Sequence, residues 1–219
     1  MRPTLTTRRE GGRAVPLLIW RLPGPHLAIS SGPLGGGIGV RGWVVNATVP
    51  LSYDRRDPEV HLAELATGLG LRGPGVGLMT ALDVAEVAEA ADGGVDVWAT
   101  VGLGMPTWAA APDQAPAGAV GTINIVVRVP ARLSEAALVN TVATAAEAKA
   151  QALVELGIAA TGTPTDATCV LCPPDGPAVG YGGPRSTWGS RIARAVHRAV
   201  LTGRAANPTG VPWSGPPVG

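Results

Sequence analysis

One stretch of this chain, Ser134 to Leu156, passes through about six helical turns without a glycine or a proline. Almost everywhere else those residues interrupt the sequence, with 31 Gly and 21 Pro among 219 residues. The rest of the fold must come from short elements joined by many turns. The uninterrupted stretch reads as the principal helix, with Ser134 as N-cap and Gly157 as terminator. Projected at about 100° per residue, Asn140, Thr144, Glu147, Gln151 and Glu155 share a polar face. The opposite stripe is Leu138, Val142, Ala145, Lys149, Ala152 and Leu156.

Lys149 is therefore misplaced. It is the only lysine in the chain, and every other basic position is arginine. A charge on an apolar stripe is expensive unless it is paired. A stem that snorkels to water, or a structural ion pair, would account for it. A chain that uses arginine throughout would nevertheless tend to replace a dispensable lysine, and displaced charges gather at functional sites. Lys149 is taken as the foremost site candidate.

The shorter elements follow from β-branched runs and caps. Residues 15–21 and 26–31 read as strands separated by the turn Pro23-Gly24-Pro25, and Arg41 to Val49 as a third. Asp57 and Pro58 open a helix that Gly70 closes. Val76 to Thr80 reads as a buried strand and Asp83 to Ala91 as a short helix. Val95 to Val101 and Val120 to Val129 are strands joined by a Pro- and Ala-rich loop, and Asp166 to Leu171 is another. Ser186 or Thr187 caps a last helix reaching Leu201, with Arg191, Arg194 and Arg198 on its wetter side. Strands come in runs rather than in strict alternation with helices. This predicts an α+β fold: one domain over 15–201, a mixed or largely antiparallel sheet, and a few packed helices. Residues 1–14, with Arg2, Arg8, Arg9 and Arg13, read as a flexible, solvated tail, and 202–219 as a Pro- and Gly-rich tail.

Composition excludes several classes. Seventeen basic against sixteen acidic residues leave a formal charge of +1 and no basic stripe, so no nucleic-acid partner is expected. No run approaches the roughly 20 apolar residues of a membrane span, and none resembles a secretory leader. No membrane partner and a cytoplasmic location are the expectation. Cys169 and Cys172 form a single Cys-x-x-Cys inside an apolar segment, which reads as buried strand residues. His26, His61 and His197 lie far apart and match no ligand spacing, so no protein-bound metal is expected. There is no Gly-x-Ser-x-Gly elbow either.

Polar or glycine residues interrupt the apolar runs at four further places. Ser30-Ser31-Gly32-Pro33-Leu34-Gly35-Gly36-Gly37 bares backbone N–H groups to a ligand or simply turns the chain. Asn46 ends a strand; Thr122 and Asn124 share one face of another. Thr161 to Asp166 delivers three threonines and a carboxylate to a strand start, a pattern that also makes a well-bonded turn.

In order along the chain, these segments resemble the adenosylcobinamide amidohydrolase family. The resemblance lies in Pro33-Leu34-Gly35-Gly36-Gly37-Ile38, Asn46-Ala47-Thr48-Val49-Pro50, Gly77-Leu78-Met79-Thr80-Ala81 and Thr100-Val101-Gly102-Leu103-Gly104. It continues through Gly121-Thr122-Ile123-Asn124-Ile125, Thr144-Ala145-Ala146-Glu147-Ala148-Lys149 and Gly162-Thr163-Pro164-Thr165-Asp166-Ala167, spanning about residues 25 to 201. The resemblance implies hydrolysis of the amide between a corrin propionyl side chain and 1-amino-2-propanol, in corrinoid salvage. The cobalt would belong to that substrate, and no cofactor is implied. Residue chemistry then suggests roles. Ser31 or a water attacks, and Gly35, Gly36 and Gly37 donate to the oxyanion. Lys149 acts as base and then acid, while Asp166 either orients it or activates water. Asn46 and Asn124 hold the amide, with Thr122, Thr163 and Thr165 as further contacts. Trp43, Trp98, Trp108 and Trp188 are candidate faces for the corrin ring. A corrinoid-binding module without activity, or an amidase acting on another amide, are the competing classes.

Overall fold

The computed structural model describes residues 1–112, 121–207 and 212–215. Residues 113–120, which are the latter part of the Pro- and Ala-rich loop with Val120, and residues 208–211 and 216–219 of the C-terminal segment lie outside the described residues. Among the described residues there are eight strands: β1 Thr4–Glu10, β2 Arg13–Ser30, β3 Gly37–Thr48, β4 Val76–Thr80, β5 Ala88–Asp92, β6 Val95–Gly102, β7 Thr122–Arg128 and β8 Ala167–Cys172. The helices are α1 Pro58–Gly68, α2 Glu135–Glu155 and α3 Thr187–Ala206. All strands belong to one sheet of order β4-β3-β2-β8-β7-β6-β5, with β1 beside β2. The pairs β3–β4 and β7–β8 are parallel, the others antiparallel. This is a mixed-sheet α+β fold.

Strand alternation sorts the side chains into three cores. Val97, Ala99 and Val101 of β6 and Ile123, Ile125 and Val127 of β7 face α2 and α3. Leu17 and Ile19 of β2 and Val45 and Ala47 of β3 face Leu62 and Ala66 of α1. The residues between them point the other way: Leu18 and Trp20, Val44, Trp98, Val126 and Leu171 form one cluster. Strands from both halves of the order, β4 and β3 on one side and β7 and β6 on the other, meet in that cluster, so the sheet curls over itself with helices outside each half. Trp20 packs edge-on against Trp98, ring centroids 5.9 Å apart. Large aromatic area fills this interior in a chain with no Phe. None of the described helices is long and apolar enough to cross a membrane.

The caps of α2 and α3 form as expected, whereas Asp57, at the start of α1, makes no side-chain cap hydrogen bond and accepts instead from Arg55. Ser134 Oγ accepts from Ala137 N, and Gly157 adopts φ +72 beyond α2. Ser186 caps α3 by accepting from Gly189 N. Cys169 and Cys172 lie on opposite faces of β8, in two different cores, so the pair cannot close on itself or share a metal. Burial pushes the Cys169 thiol up to about 12.

Three expectations are corrected. The N-terminal segment is not a solvated tail: β1 pairs with β2 from Thr4↔Ile19 to Glu10↔Arg13. Its hairpin turns on Gly11 and Gly12, both with positive φ, as a two-residue primed turn requires. Pro23-Gly24-Pro25 does not end a strand, because β2 runs through it with a register shift against β3 between Arg21 and His26. Prolines are tolerated where the ladder is already interrupted. Asp83 to Ala91 is one 3-10 turn, Val84–Glu86, followed by β5. A second Gly-Gly hairpin, at Gly93 and Gly94, ties Asp92 to Val95 of β6 and overrides the helix preference of Ala and Glu. At the other end α3 continues to Ala206, and Trp213 N donates to Ala81 O at 2.7 Å.

Candidate active site

At one end of the curled interior, apolar residues give way to polar ones. Asn46 and Thr48 of β3, Thr80 of β4, Thr100 of β6 and Thr122 and Asn124 of β7 are all buried there. They share the inward phase of their strands with Val44, Trp98 and Val126. A buried amide survives only if it is bonded. Asn46 Nδ2 donates to Thr100 Oγ1 at 3.1 Å, and Asn124 Nδ2 donates to Asn46 Oδ1 at 2.9 Å and Met79 O at 2.8 Å. The Met79 carbonyl can only accept, which fixes the orientation of the Asn124 amide. Its Oδ1 is then left without a donor among the described residues. Asn124 and Thr122 line a cavity of about 220 Å³ with Pro33, Tyr53, Met79 and Thr165.

On the helix side of the same strand ends lies the lysine. Lys149 is 13% exposed and donates from Nζ to Asp166 Oδ2, so the charge on the apolar stripe is paired. Asp166 is held from several directions. Its Oδ1 accepts from Ile123 N at 2.8 Å and from Thr163 Oγ1, and its Oδ2 accepts from Thr163 N at 3.1 Å. With Lys149 that makes four donors, which fills the acceptor capacity of a carboxylate. Gly162 is required beside them, because a Cβ there would stand 2.5 Å from Asp166 Oδ2 and 2.6 Å from Lys149 Nζ. The pair opens on a cleft of about 580 Å³ walled by Trp108, Ala146, Ala150 and Thr161. The turn from Gly162 to Asp166 separates this cleft from the narrow cavity. Thr165 crosses it, meeting Thr122 Oγ1 at 2.6 Å and donating to Gly121 O at 3.0 Å.

The remaining sequence candidates fall elsewhere. Ser31 is exposed; its Oγ accepts from Thr168 N at 3.1 Å, and no basic side chain of the described residues hydrogen-bonds it. Gly35 lines a different cleft, with Arg41, Trp43 and Gly75. With φ +70 it packs so closely that a Cβ would sit 1.9 Å from Gly75 O, and its own carbonyl accepts from Arg41 Nη2 at 3.0 Å. Gly36 and Gly37 are exposed in the same turn. The glycine loop and Lys149 thus line separate cavities. Of the four tryptophans proposed as ring faces, Trp43 and Trp98 are core, and Trp188 carries the Arg191 guanidinium 4.7 Å from its ring centroid. Trp108, 49% exposed, faces the lysine cleft. Thr144 is not on a wet face but buried, donating to Gly182 O at 2.9 Å.

A profile of the adenosylcobinamide amidohydrolase family matches residues 2–209. The chain belongs to that family. It is accordingly a hydrolase. A Methanosarcina mazei protein described as adenosylcobinamide amidohydrolase is 31% identical over 191 residues, covering 83% of this chain and 92% of the relative. A Halobacterium salinarum protein of the same description is 35% identical over 143 residues, 62% of this chain and 61% of its own length. The crystal structure of the PH0078 protein from Pyrococcus horikoshii has a similar fold, with a TM-score of 0.52 at 14% identity, over 94% of this chain and 84% of that one. Tyr53 was not visible as a cavity residue in the sequence, since it lies in a polar loop whose partner, His61, reads as an isolated histidine.

Proposed function

We propose that this chain hydrolyses adenosylcobinamide at the amide joining the corrin propionyl side chain to 1-amino-2-propanol, releasing adenosylcobyric acid and the amino alcohol. The family membership supports the substrate class, and the observation that carries the reading is the Lys149–Asp166 pair. It fixes one cation, at a cost in burial, on the wall of a cleft wide enough for part of a large ring. The narrow, amide-floored cavity across the Gly162–Asp166 turn suits a slender amide arm.

Water is the nucleophile in this reading. Ser31 lacks a hydrogen-bonded base, which weighs against an acyl-enzyme. Asp166, with its acceptor sites filled, orients Lys149 rather than activating water. Lys149 then acts as a fixed cation: an ammonium has three N–H groups, and those not given to Asp166 stabilise the oxyanion as the carbonyl carbon becomes tetrahedral. The cobalt arrives with the substrate.

The test is release of aminopropanol from adenosylcobinamide by the wild-type protein and by Lys149→Met. Release by the wild type and a loss of at least about tenfold in kcat for a folded Lys149→Met is expected. Tight binding of the corrinoid with no release would make the chain a binding module, and full turnover by the variant would remove Lys149 from the chemistry.

A further inference from the structure

Trp108 is 49% exposed, yet its backbone is held on both sides. It lies in the segment after β6, between two residues bonded to the chain that leads into Asp166. Thr107 N donates to Gly162 O at 2.8 Å and Thr161 N to Thr107 O at 3.1 Å, which makes an antiparallel bridge. Ala109 N donates to Thr161 Oγ1 at 2.9 Å, and Ala111 N closes a turn on Trp108 O at 3.0 Å. Gly162, the anchor of the bridge, itself lies directly against Lys149 Nζ and Asp166 Oδ2. The position of the indole is thereby tied to that of the ion pair.

Trp108 and Lys149 are walls of one cleft, of about 580 Å³. On its helix side stand Ala146 and Ala150, whose side chains end at Cβ and leave the space beside the indole open. Pro164 adds a further apolar surface. Holding a tryptophan half exposed forgoes the burial of a large apolar area, and apolar surface kept open inside a cleft marks a ligand contact. A π face among apolar walls favours a flat, weakly polar group over a compact ion.

We infer that Trp108 is a substrate-binding residue whose indole takes a flat face of the corrinoid in the cleft that Lys149 lines. The inference rests on the corrinoid-hydrolase reading above and names the residue that recognises the body of the substrate. Two parts of adenosylcobinamide offer such a face: the corrin ring, and the adenine of the axial ligand. Either docks on the indole by stacking or by C–H contact with the π face. Neither part reacts, so the contact is made equally in the bound substrate and in the transition state. Its loss therefore appears in KM and in binding, and kcat is spared.

The test uses the full chain as wild type, Trp108→Ala and Trp108→Phe. Rapid-mixing quenching of tryptophan fluorescence gives Kd before turnover, and the chain has six tryptophans, so those other than Trp108 still report in the variants. The corrinoids are adenosylcobinamide and dicyanocobinamide, which carries the same ring and no adenine. Steady-state release of aminopropanol from adenosylcobinamide gives KM and kcat. Trp108→Ala should raise Kd and KM for adenosylcobinamide about tenfold, leave kcat within about twofold, and melt cooperatively. Trp108→Phe keeps an aromatic face and should recover most of the affinity. A parallel loss with dicyanocobinamide puts the corrin ring on the indole, whereas a loss confined to adenosylcobinamide puts the adenine there. An unchanged Kd in Trp108→Ala, a loss in kcat alone, or a Trp108→Phe that binds no tighter than Trp108→Ala overturns the inference. A wild type that binds the corrinoid but releases no amino alcohol overturns the hydrolase reading, and Kd still decides the Trp108 contact. A wild type that binds neither corrinoid overturns both.

Discussion

Asn124 Nδ2 donates to Asn46 Oδ1 across 2.9 Å, although β7 and β3 are not neighbours in the sheet. The strand order places β2 and β8 between them, so the bond exists only because the sheet curls back on itself. It closes the polar end of the interior and brings residues from opposite halves of the chain into the floor of one cavity.

Asn124→Ala should therefore weaken the closure as well as the floor. It leaves Met79 O and Asn46 Oδ1 without their donor in a buried setting, at a cost of about 1–3 kcal/mol. Urea unfolding followed by tryptophan fluorescence should move its midpoint to lower denaturant with little change in slope. An unchanged midpoint would mean that the two halves of the sheet are held without this bond.

The ion pair on α2 predicts unequal consequences for its two members. Lys149→Met keeps the stem on the apolar stripe and leaves Asp166 with three donors, Ile123 N, Thr163 N and Thr163 Oγ1. Its stability should fall by about 1 kcal/mol or less. Asp166→Ala frees those donors and strands the lysine charge where its side chain is 13% exposed, costing on the order of 3 kcal/mol. Thermal melts of the two variants side by side should rank Asp166→Ala well below Lys149→Met; equal melting points would contradict the structural role given to Asp166.

Much of this arrangement is legible before folding, and what is not has a common cause. Lys149 betrays itself through helical phase, because a period of about 3.6 residues places it on an apolar stripe with no reference to other elements. Asp166 and the threonines near it are legible as a turn for the same local reason. The hairpins at Gly11-Gly12 and Gly93-Gly94 carry the turn signal of a two-residue loop, but their flanks mislead. Arginines and threonines in β1 resemble a solvated arm, and Ala-Glu-Ala-Ala-Asp in β5 resembles a helix. Pairing across the sheet decides both, and pairing is not a local property. The approach of Glu10 to His61 is hidden for that reason, since Glu10 reaches the imidazole only through β1. The curl that joins Asn46 to Asn124 is a tertiary fact with no periodic trace.

Gly162 gives a prediction in which a single methyl group separates the ion pair. A Cβ would lie 2.5 Å from Asp166 Oδ2 and 2.6 Å from Lys149 Nζ, and the carboxylate cannot yield easily while three other donors hold it. Gly162→Ala should displace the lysine and reduce turnover about as far as Lys149→Met does. Ala at Gly102, near Thr122 on the cavity side, is no control because a Cβ there also crowds backbone at 3.0 Å. Gly68→Ala in α1, where nothing lies within 4 Å, serves instead and should leave turnover unaltered. Steady-state rates on adenosylcobinamide separate the two, and a fully active Gly162→Ala would show that the pair tolerates displacement.

The wetter face of α3 makes a prediction about acid. Arg194 donates to both oxygens of Asp92, at 2.9 and 2.8 Å, and Arg198 reaches the same carboxylate at 3.2 Å, so α3 grips the end of β5. The hydrogen bonds from Arg194 are the main cause that lowers Asp92 to about 2, against an ordinary carboxylate value near 4. A carboxylate depressed in the folded state favours folding at all pH above its unfolded value. That contribution drains away as pH falls from about 4 towards about 2, because the unfolded chain takes up the proton first. Asp92→Asn should accordingly be less stable than the wild type at pH 6, and the gap should close between pH 4 and pH 2. Both arginines are about half exposed, so solvent and salt screening keep the gap small. Urea midpoints of the two proteins at pH 6, 4, 3 and 2 in low salt provide the measurement, and a gap that persists undiminished at pH 2 would contradict this linkage.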